Sequence, residues 1–294
     1  GKPDIVYAGD LRGNMWKFDI SSTTSSSWNV ALSGSPLYKA KDATNNIQPI
    51  TAPPSVKVND RGASGMMVAF GTGRNVTLAD RTDISSQTFY SVIDSTKYKN
   101  SASGEVSVDP AFPGVALTGR SSLVAQTVAG SAAGSGIYAG NTFSSMSQNT
   151  VVYTGPSAKK GWYFDLPESG ERLLKPAYFY DGSNILEVLS QVPASSALIG
   201  GPTCSPNPQA EKQYRTFLNI MDGRSPSVQL LDKNADGYYN SSDFIGGVST
   251  ARMTTTSGSK TNIYTPDLVI SQGESSSGGG GGGGGTPINP TDKM

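Results

Sequence analysis

Val6-Tyr7-Ala8-Gly9-Asp10-Leu11-Arg12-Gly13-Asn14-Met15-Trp16-Lys17-Phe18-Asp19 is the stretch on which the fold turns. It reads as an apolar strand, a glycine turn and an aromatic strand that ends at a carboxylate. The same order returns from Met67-Val68-Ala69-Phe70-Gly71-Thr72-Gly73 to Phe89-Tyr90-Ser91-Val92-Ile93-Asp94, and in a weaker copy from Tyr214-Arg215-Thr216-Phe217-Leu218-Asn219-Ile220 to Gly223. Small antiparallel sheets repeated around an axis carry such a glycine and aromatic per unit, as in a β-propeller. A sandwich of hairpins satisfies the same pattern.

Outward from these copies, short β-rich runs separated by Gly, Asn, Pro and Asp predict an all-β chain with helix as the minor component. Strands are expected at Asp4–Ala8, Asn14–Ile20, Gly65–Phe70, Gln87–Ile93, Thr150–Tyr153, Gly161–Asp165, Ile185–Gln191, Tyr214–Ile220, Ser227–Leu231 and Leu268–Ser271. The Ser-, Ala- and Gly-rich stretch Gly104–Gly140 reads as one strand, near Ser122–Val128, set in long loops. Eight consecutive glycines, Gly278 to Gly285, follow Ser275-Ser276-Ser277. They have maximal backbone freedom and nothing to bury. Residues 1–272 are therefore expected to fold and residues 273–294 to form a flexible tail.

Composition removes several function classes. Charged residues are 16% of the chain and cancel, 23 against 23, so no basic field attracts nucleic acid or an anionic membrane. Histidine is absent, which takes away the usual general base and the imidazole metal ligand. Cys204, alone, cannot close an intrachain disulfide and reads as an incidental thiol. No apolar run approaches the roughly 18 residues that span a bilayer. Gly1 starts inside what reads as a loop, without a charged-then-apolar leader, so any signal segment is expected upstream.

One segment carries sharp chemistry: Asp232-Lys233-Asn234-Ala235-Asp236-Gly237-Tyr238-Tyr239-Asn240-Ser241-Ser242-Asp243. Oxygen side chains fall at loop positions 1, 3, 5, 9 and 12 with glycine at 6, the spacing of an EF-hand-type calcium loop. Alternate residues turn oxygens inward, glycine permits the reversal, and the Tyr238 carbonyl serves at position 7. Asp232, Asn234, Asp236, Tyr238, Asn240 and Asp243 are thus the expected ligands, and an oxygen-only set favours Ca2+ over zinc or copper. Asp at position 12 in place of Glu shortens the last arm and predicts a weaker site. Ser227–Leu231 upstream reads as strand, so the loop is expected on a β scaffold rather than between two helices.

Elsewhere the signals are bland. Gly1-Lys2-Pro3-Asp4 reads as a plain β-turn, although it also fits the middle of a second such loop. Gly71-Thr72-Gly73-Arg74-Asn75 lacks the helix and Lys-Ser/Thr of a phosphate loop and reads as a turn between strands. The pairs Asp80/Asp83 and Glu168/Glu171 lie in polar, turn-like segments and read as solvated surface rather than as acid and base.

The chain resembles the C-terminal region of the PilC/PilY family of type IV pilus proteins. The resemblance rests on Asp4–Asp19, Gln48-Pro49-Ile50-Thr51-Ala52-Pro53-Pro54, Val68–Arg74 with Phe89-Tyr90, Arg120–Thr127, and Gly161–Pro167 with Gly170-Glu171-Arg172, in the family's order. It covers roughly residues 1–270 and leaves the glycine tail outside. It implies a partial β-propeller of modified type, with long loops and an inserted calcium-binding loop. It also implies export to the pilus tip, cell surface or outer membrane, and association with minor pilins. Its implied roles are pilus biogenesis, control of extension against retraction in twitching motility, and adhesion to a host or abiotic surface. On this resemblance the family's large N-terminal region, and its first blades, are expected to lie outside this sequence. Paired cysteines found in some members reduce here to Cys204. A binding and regulatory module, not an enzyme, is the resulting expectation. A quinoprotein-dehydrogenase-like propeller and a surface protein merely stiffened by calcium are the alternatives.

Overall fold

A computed structural model of the chain describes residues 4–100, 102, 104, 106–180, 182–193, 212–255, 264–265 and 268–269. Cys204, the first three residues of the Gly1–Asp4 turn and the 273–294 tail lie outside the described residues. Residues 1–257 form one compact unit; in the second, residues 258–294, Tyr264–Thr265 pairs with Leu268–Val269.

Three sheets build the first unit. The opening sheet holds β1 (Ile5–Gly9), β2 (Asn14–Asp19), β3 (Asn29–Val30) and β4 (Tyr38–Lys39). The chain continues through β5 (Ser55–Val58), β6 (Met66–Gly71), β7 (Thr88–Asp94), a separate hairpin of β8 (Tyr98–Asn100) and β9 (Val106–Val108), and β10 (Val124–Gln126). Then come β11 (Val128–Ala133), β12 (Asn141–Met146), β13 (Gly161–Asp165), β14 (Tyr178–Phe179), β15 (Ile185–Val192), β16 (Lys212–Asn219) and β17 (Arg252–Thr255). The second sheet has the order β10-β13-β7-β6-β5 and the third β11-β12-β17-β16-β15-β14. β10 pairs in parallel with β13, so the chain leaves the second sheet to build β11 and β12 in the third and then returns.

The recurrence forms a hairpin in its first two copies, whereas the third, around β16, pairs with β15 before it and with β17. β1 pairs with β2 from Ile5↔Asp19 to Gly9↔Met15, and β6 pairs with β7 from Met66↔Asp94 to Gly71↔Phe89. Alternation then assigns the faces. Val68, Phe70, Tyr90 and Val92 bury one face of the second sheet against Met15, Leu37, Tyr38 and Ile50 of the first. Met67, Ala69, Phe89, Ile93 and Trp162 bury the other against Leu186, Val188 and Leu218 of the third. Two such interfaces with a shared middle sheet rule out a single two-sheet sandwich.

Charged groups fasten the same two interfaces. Lys17 on β2 meets Asp94 on β7 at 2.6 Å, and Thr96 and Tyr7 complete the cluster. Burial alone would raise the Asp94 pKa; the ammonium of Lys17 and the hydroxyls of Thr96 and Tyr7 keep it below its ordinary value. Where the loop after β13 meets the third sheet, Arg252 Nη2 donates to both carboxylate oxygens of Glu171 at 2.8 Å, and Nη1 donates to Thr216 Oγ1 at 2.9 Å.

Several expectations need correction. Gly104–Gly140 holds β9, β10 and β11 rather than one strand. Val128-Ala129-Gly130-Ser131-Ala132-Ala133 has little intrinsic strand preference and is held by pairing with β12. Thr150–Tyr153 and Ser227–Leu231 join no ladder. The first is pinned instead by side chains, with Tyr153 Oη donating to the Met221 carbonyl and Arg224 donating to Thr150 Oγ1. Glu171 and Asp80, read as solvated, are buried, because their partners come from distant parts of the chain. Asp80 accepts from Arg74 Nε and from the amides of Val76 and Thr77. Burial works to raise its pKa, yet the Thr77 and Val76 amides, the Thr77 hydroxyl and Arg74 hold it down to about 2.

Candidate metal-binding loop

The far face of the third sheet carries Phe143, Ile185, Phe217 and Met253, and no sheet among the described residues covers it. Instead residues 226–251 lie across it as an irregular cap, with Leu231 and Ile245 buried in the same apolar cluster. Asp232–Asp243 is the outward bight between those two anchors. The cap closes on itself through Ser249 Oγ to the Pro226 carbonyl, the Thr250 amide to Gln229 Oε1 at 2.9 Å, and Thr250 Oγ1 to the Asp243 carbonyl. The β11–β12 turn supports it, with the Ser135 amide donating to the Lys233 carbonyl at 3.1 Å.

Within the bight the backbone follows the sequence template. Gly237, at position 6, has φ +81°, and Ala235 has φ +59°, so the reversal runs through two left-handed residues. Asp232 Oδ2 accepts the Gly237 amide at 2.9 Å, tying position 1 to position 6. Asn234 Oδ1 accepts the Asp236 amide, and Asp236 Oδ1 accepts the Tyr238 amide. A short 3-10 turn, Ser241–Asp243, closes the segment with Asn240 as its cap; Asn240 Oδ1 accepts the Ser242 amide and Asp243 Oδ2 the Asn240 amide. Asp243 Oδ1 takes the Lys233 amide at 2.8 Å.

All six expected ligand residues therefore belong to one folded loop, but its carboxylate oxygens mostly accept from amides, four from the backbone and Asp236 Oδ2 from the Asn234 side chain. Among the described residues no group of three acidic or thiol side chains is gathered to hold a metal. One atom breaks the pattern. Asp232 Oδ1 is buried and has no hydrogen-bond partner, an uncompensated acceptor on a residue only 9% exposed. A buried carboxylate oxygen without a donor is costly. The donor set, all oxygen, suits a hard cation. Tyr238 and Tyr239, at 70% and 60% exposed, project from the same bight.

Sequence reasoning found this loop and missed the charged pairs that hold its scaffold. Arg252, which precedes Met253 on the capped strand, is bonded to Glu171 across 81 residues. Arg172 donates to the carbonyls of Gly170, Arg74, Asp80 and Asp83 and so clamps the 74–83 loop. Nothing local in Gly170-Glu171-Arg172 signals these partners.

Residues 1–114 match the family model of the PilY1 beta-propeller domain. The type IV pilus biogenesis factor PilY1 of Pseudomonas aeruginosa strain PAO1 is 34% identical over 191 residues, 58% of this chain and 16% of its own length. PilY1 of P. aeruginosa strain UCBPP-PA14 is 27% identical over 287 residues, 85% of this chain and 23% of its own length. The chain is thus similar to PilY1 over most of its length, and residues 1–114 match the PilY1 beta-propeller model. The crystal structure of the P. aeruginosa PilY1 C-terminal domain shares the fold, with a TM-score of 0.67 at 24% identity over 90% of this chain and 54% of that one. The three sheets are accordingly part of a PilY1-type β-propeller, as the sequence resemblance implied. The chain spans 16% and 23% of the length of these two curated PilY1 relatives. No helix among the described residues is long and apolar enough to cross a membrane.

Proposed function

We propose that this chain is a calcium-binding module of a type IV pilus biogenesis factor, a binding and regulatory element rather than an enzyme. In this reading it is exported to the cell surface or outer membrane and carried with minor pilins at the pilus tip. Ca2+ held by Asp232, Asn234, Asp236, the Tyr238 carbonyl, Asn240 and Asp243 fixes the bight and, through Leu231 and Ile245, the cap over the third sheet. Loaded and empty caps then differ in rigidity, which sets the module's contacts with other pilus components and so biases extension against retraction, twitching and surface adhesion.

The observation that carries the metal reading is Asp232 Oδ1: buried, ionisable and without a donor, on a carboxylate whose other oxygen is already bound at loop position 6. The pilus context is supported by the names of the relatives. The test is genetic. Asp232→Ala with Asp236→Ala, introduced into the full-length protein in the cells that make it, is expected to change the number of retracting pili and the twitching zone. Unaltered pilus retraction alongside normal protein levels would remove the switch.

A further inference from the structure

From Ser121 to Ala158 the chain carries no Asp, Glu, Lys or Arg. That uncharged stretch includes β11, which forms the outer edge of the third sheet, beyond β12. The Gly134 amide donates to the Asn141 carbonyl at 2.9 Å. Antiparallel pairs alternate, so Ala132, paired with Phe143, also bonds inward, while Ser131 and Ala133 turn their N–H and C=O groups away from β12.

Among the described residues, other edges of the first two sheets and the far edge of the third are short or guarded. β5 carries Lys57, whose Nζ donates to the carbonyls of Gly182 and Ser183, and Ser55 Oγ donates to the Ala177 carbonyl. β14, β3 and β4 are two residues each, and β1 is flanked by Asp4 and Asp10. β11 has six residues without a charge or proline, and its one irregularity is a register shift between Val128 and Gly130. Natural sheets guard long edges with charge, proline or cover, and an edge without them is a template for another strand.

We propose that β11 is a strand-addition site that takes an extended segment of another polypeptide. The side chains on this edge decide what kind of segment fits. Gly130 and Ala132 share the face on which Ala132 packs against the capped cluster, and a Cβ on Gly130 would lie 3.0 Å from Ile245 Cγ2; Val128, before the register shift, packs on the opposite face. Gly130 and Ala132 do not reach past the edge, so on that face the incoming strand carries β-branched apolar side chains at alternate positions, laid beside Ile245 and Tyr138. Ile137, 84% exposed just past the edge, extends that apolar rim. A six-residue edge is too small to hold two globular copies by itself, since stable interfaces bury roughly 1,200 Å² or more. A flexible strand that adds main-chain hydrogen bonds needs no such area.

Amide hydrogen exchange by NMR on the whole chain tests this, with a lysine-flanked peptide of alternating threonine and valine as the probe. Without peptide, Ser131 and Ala133 are expected to exchange freely while Ala132 and Gly134 are protected. With peptide, Ser131 and Ala133 are expected to slow by about tenfold or more. Ser131→Pro removes the outward donor at a place where an edge tolerates proline, and Ala133→Lys adds the missing charge; each is expected to abolish the slowing. Protection of Ser131 and Ala133 in the free chain, peptide protection confined to β1 or β5, or unchanged slowing in both variants would each overturn the proposal. None of these readouts depends on calcium.

Discussion

Replacing Glu171 by alanine strands a cation inside the protein, and its consequence can be worked from the structure. Arg252 is 1% exposed and Glu171 fully buried. The substitution deletes the two 2.8 Å hydrogen bonds from Arg252 and those that Glu171 accepts from Ser190 Oγ and the Glu168 amide, and leaves the guanidinium with Thr216 Oγ1 and the rings of Tyr214, 4.5 Å away, and Phe164. Breaking a buried pair from one side costs about 3–5 kcal/mol, most of it the burden of the unpaired charge. With a urea dependence of about 2–3 kcal/mol per molar, the midpoint should fall by about 1–2 M. Trp162, buried between the second and third sheets and bonded to the Ile220 carbonyl, supplies the fluorescence signal. Glu171→Met combined with Arg252→Met removes both charges and is expected to recover most of the loss. A single-variant loss below about 1 kcal/mol, or a double variant weaker than the single, would refute the assignment of this pair as the fastening of the loop after β13 to the third sheet.

Asp80 gives a pH signature. Its folded pKa of about 2 lies below the ordinary 3.8, so its contribution is present above pH 3.8 and is lost as pH falls toward 2. Asp80→Asn should flatten that part of a stability–pH profile measured by urea midpoints; an unchanged slope would show that other carboxylates carry it. Gly223 has φ +70°, and a Cβ there would come within 2.4 Å of the Trp162 ring, so Gly223→Ala should destabilise by about 1–3 kcal/mol in the same assay. Ile245→Ala empties part of the cap cluster and should cost about 2–4 kcal/mol, with faster tryptic cleavage after Lys233 as the local readout.

What the sequence disclosed follows from how local each signal is. Gly161-Trp162-Tyr163-Phe164-Asp165 coincides with β13, since aromatic residues with period-two burial and a glycine start need no distant information. The Asp232–Asp243 loop was legible for the same reason: its oxygens and glycine are spaced within twelve positions. β11 was not legible, because alanine, glycine and serine carry no apolar alternation and its strand form depends on β12. Glu171 and Asp80 looked solvated because their own neighbourhoods are polar. What buries Glu171 is Arg252, 81 residues on, and what closes over the Asp80 loop is Arg172. The sequence also could not say that the bight sits on a cap over the third sheet, since Leu231 and Ile245 meet Phe143 and Phe217 only in the fold.

Calorimetric titration of the purified chain with calcium, beside the Asp232→Ala variant, tests the central claim most directly. The expected result is one site with millimolar or tighter affinity in the parent and its loss in the variant. Absence of binding heat at millimolar calcium, or equal binding by both proteins, would contradict it.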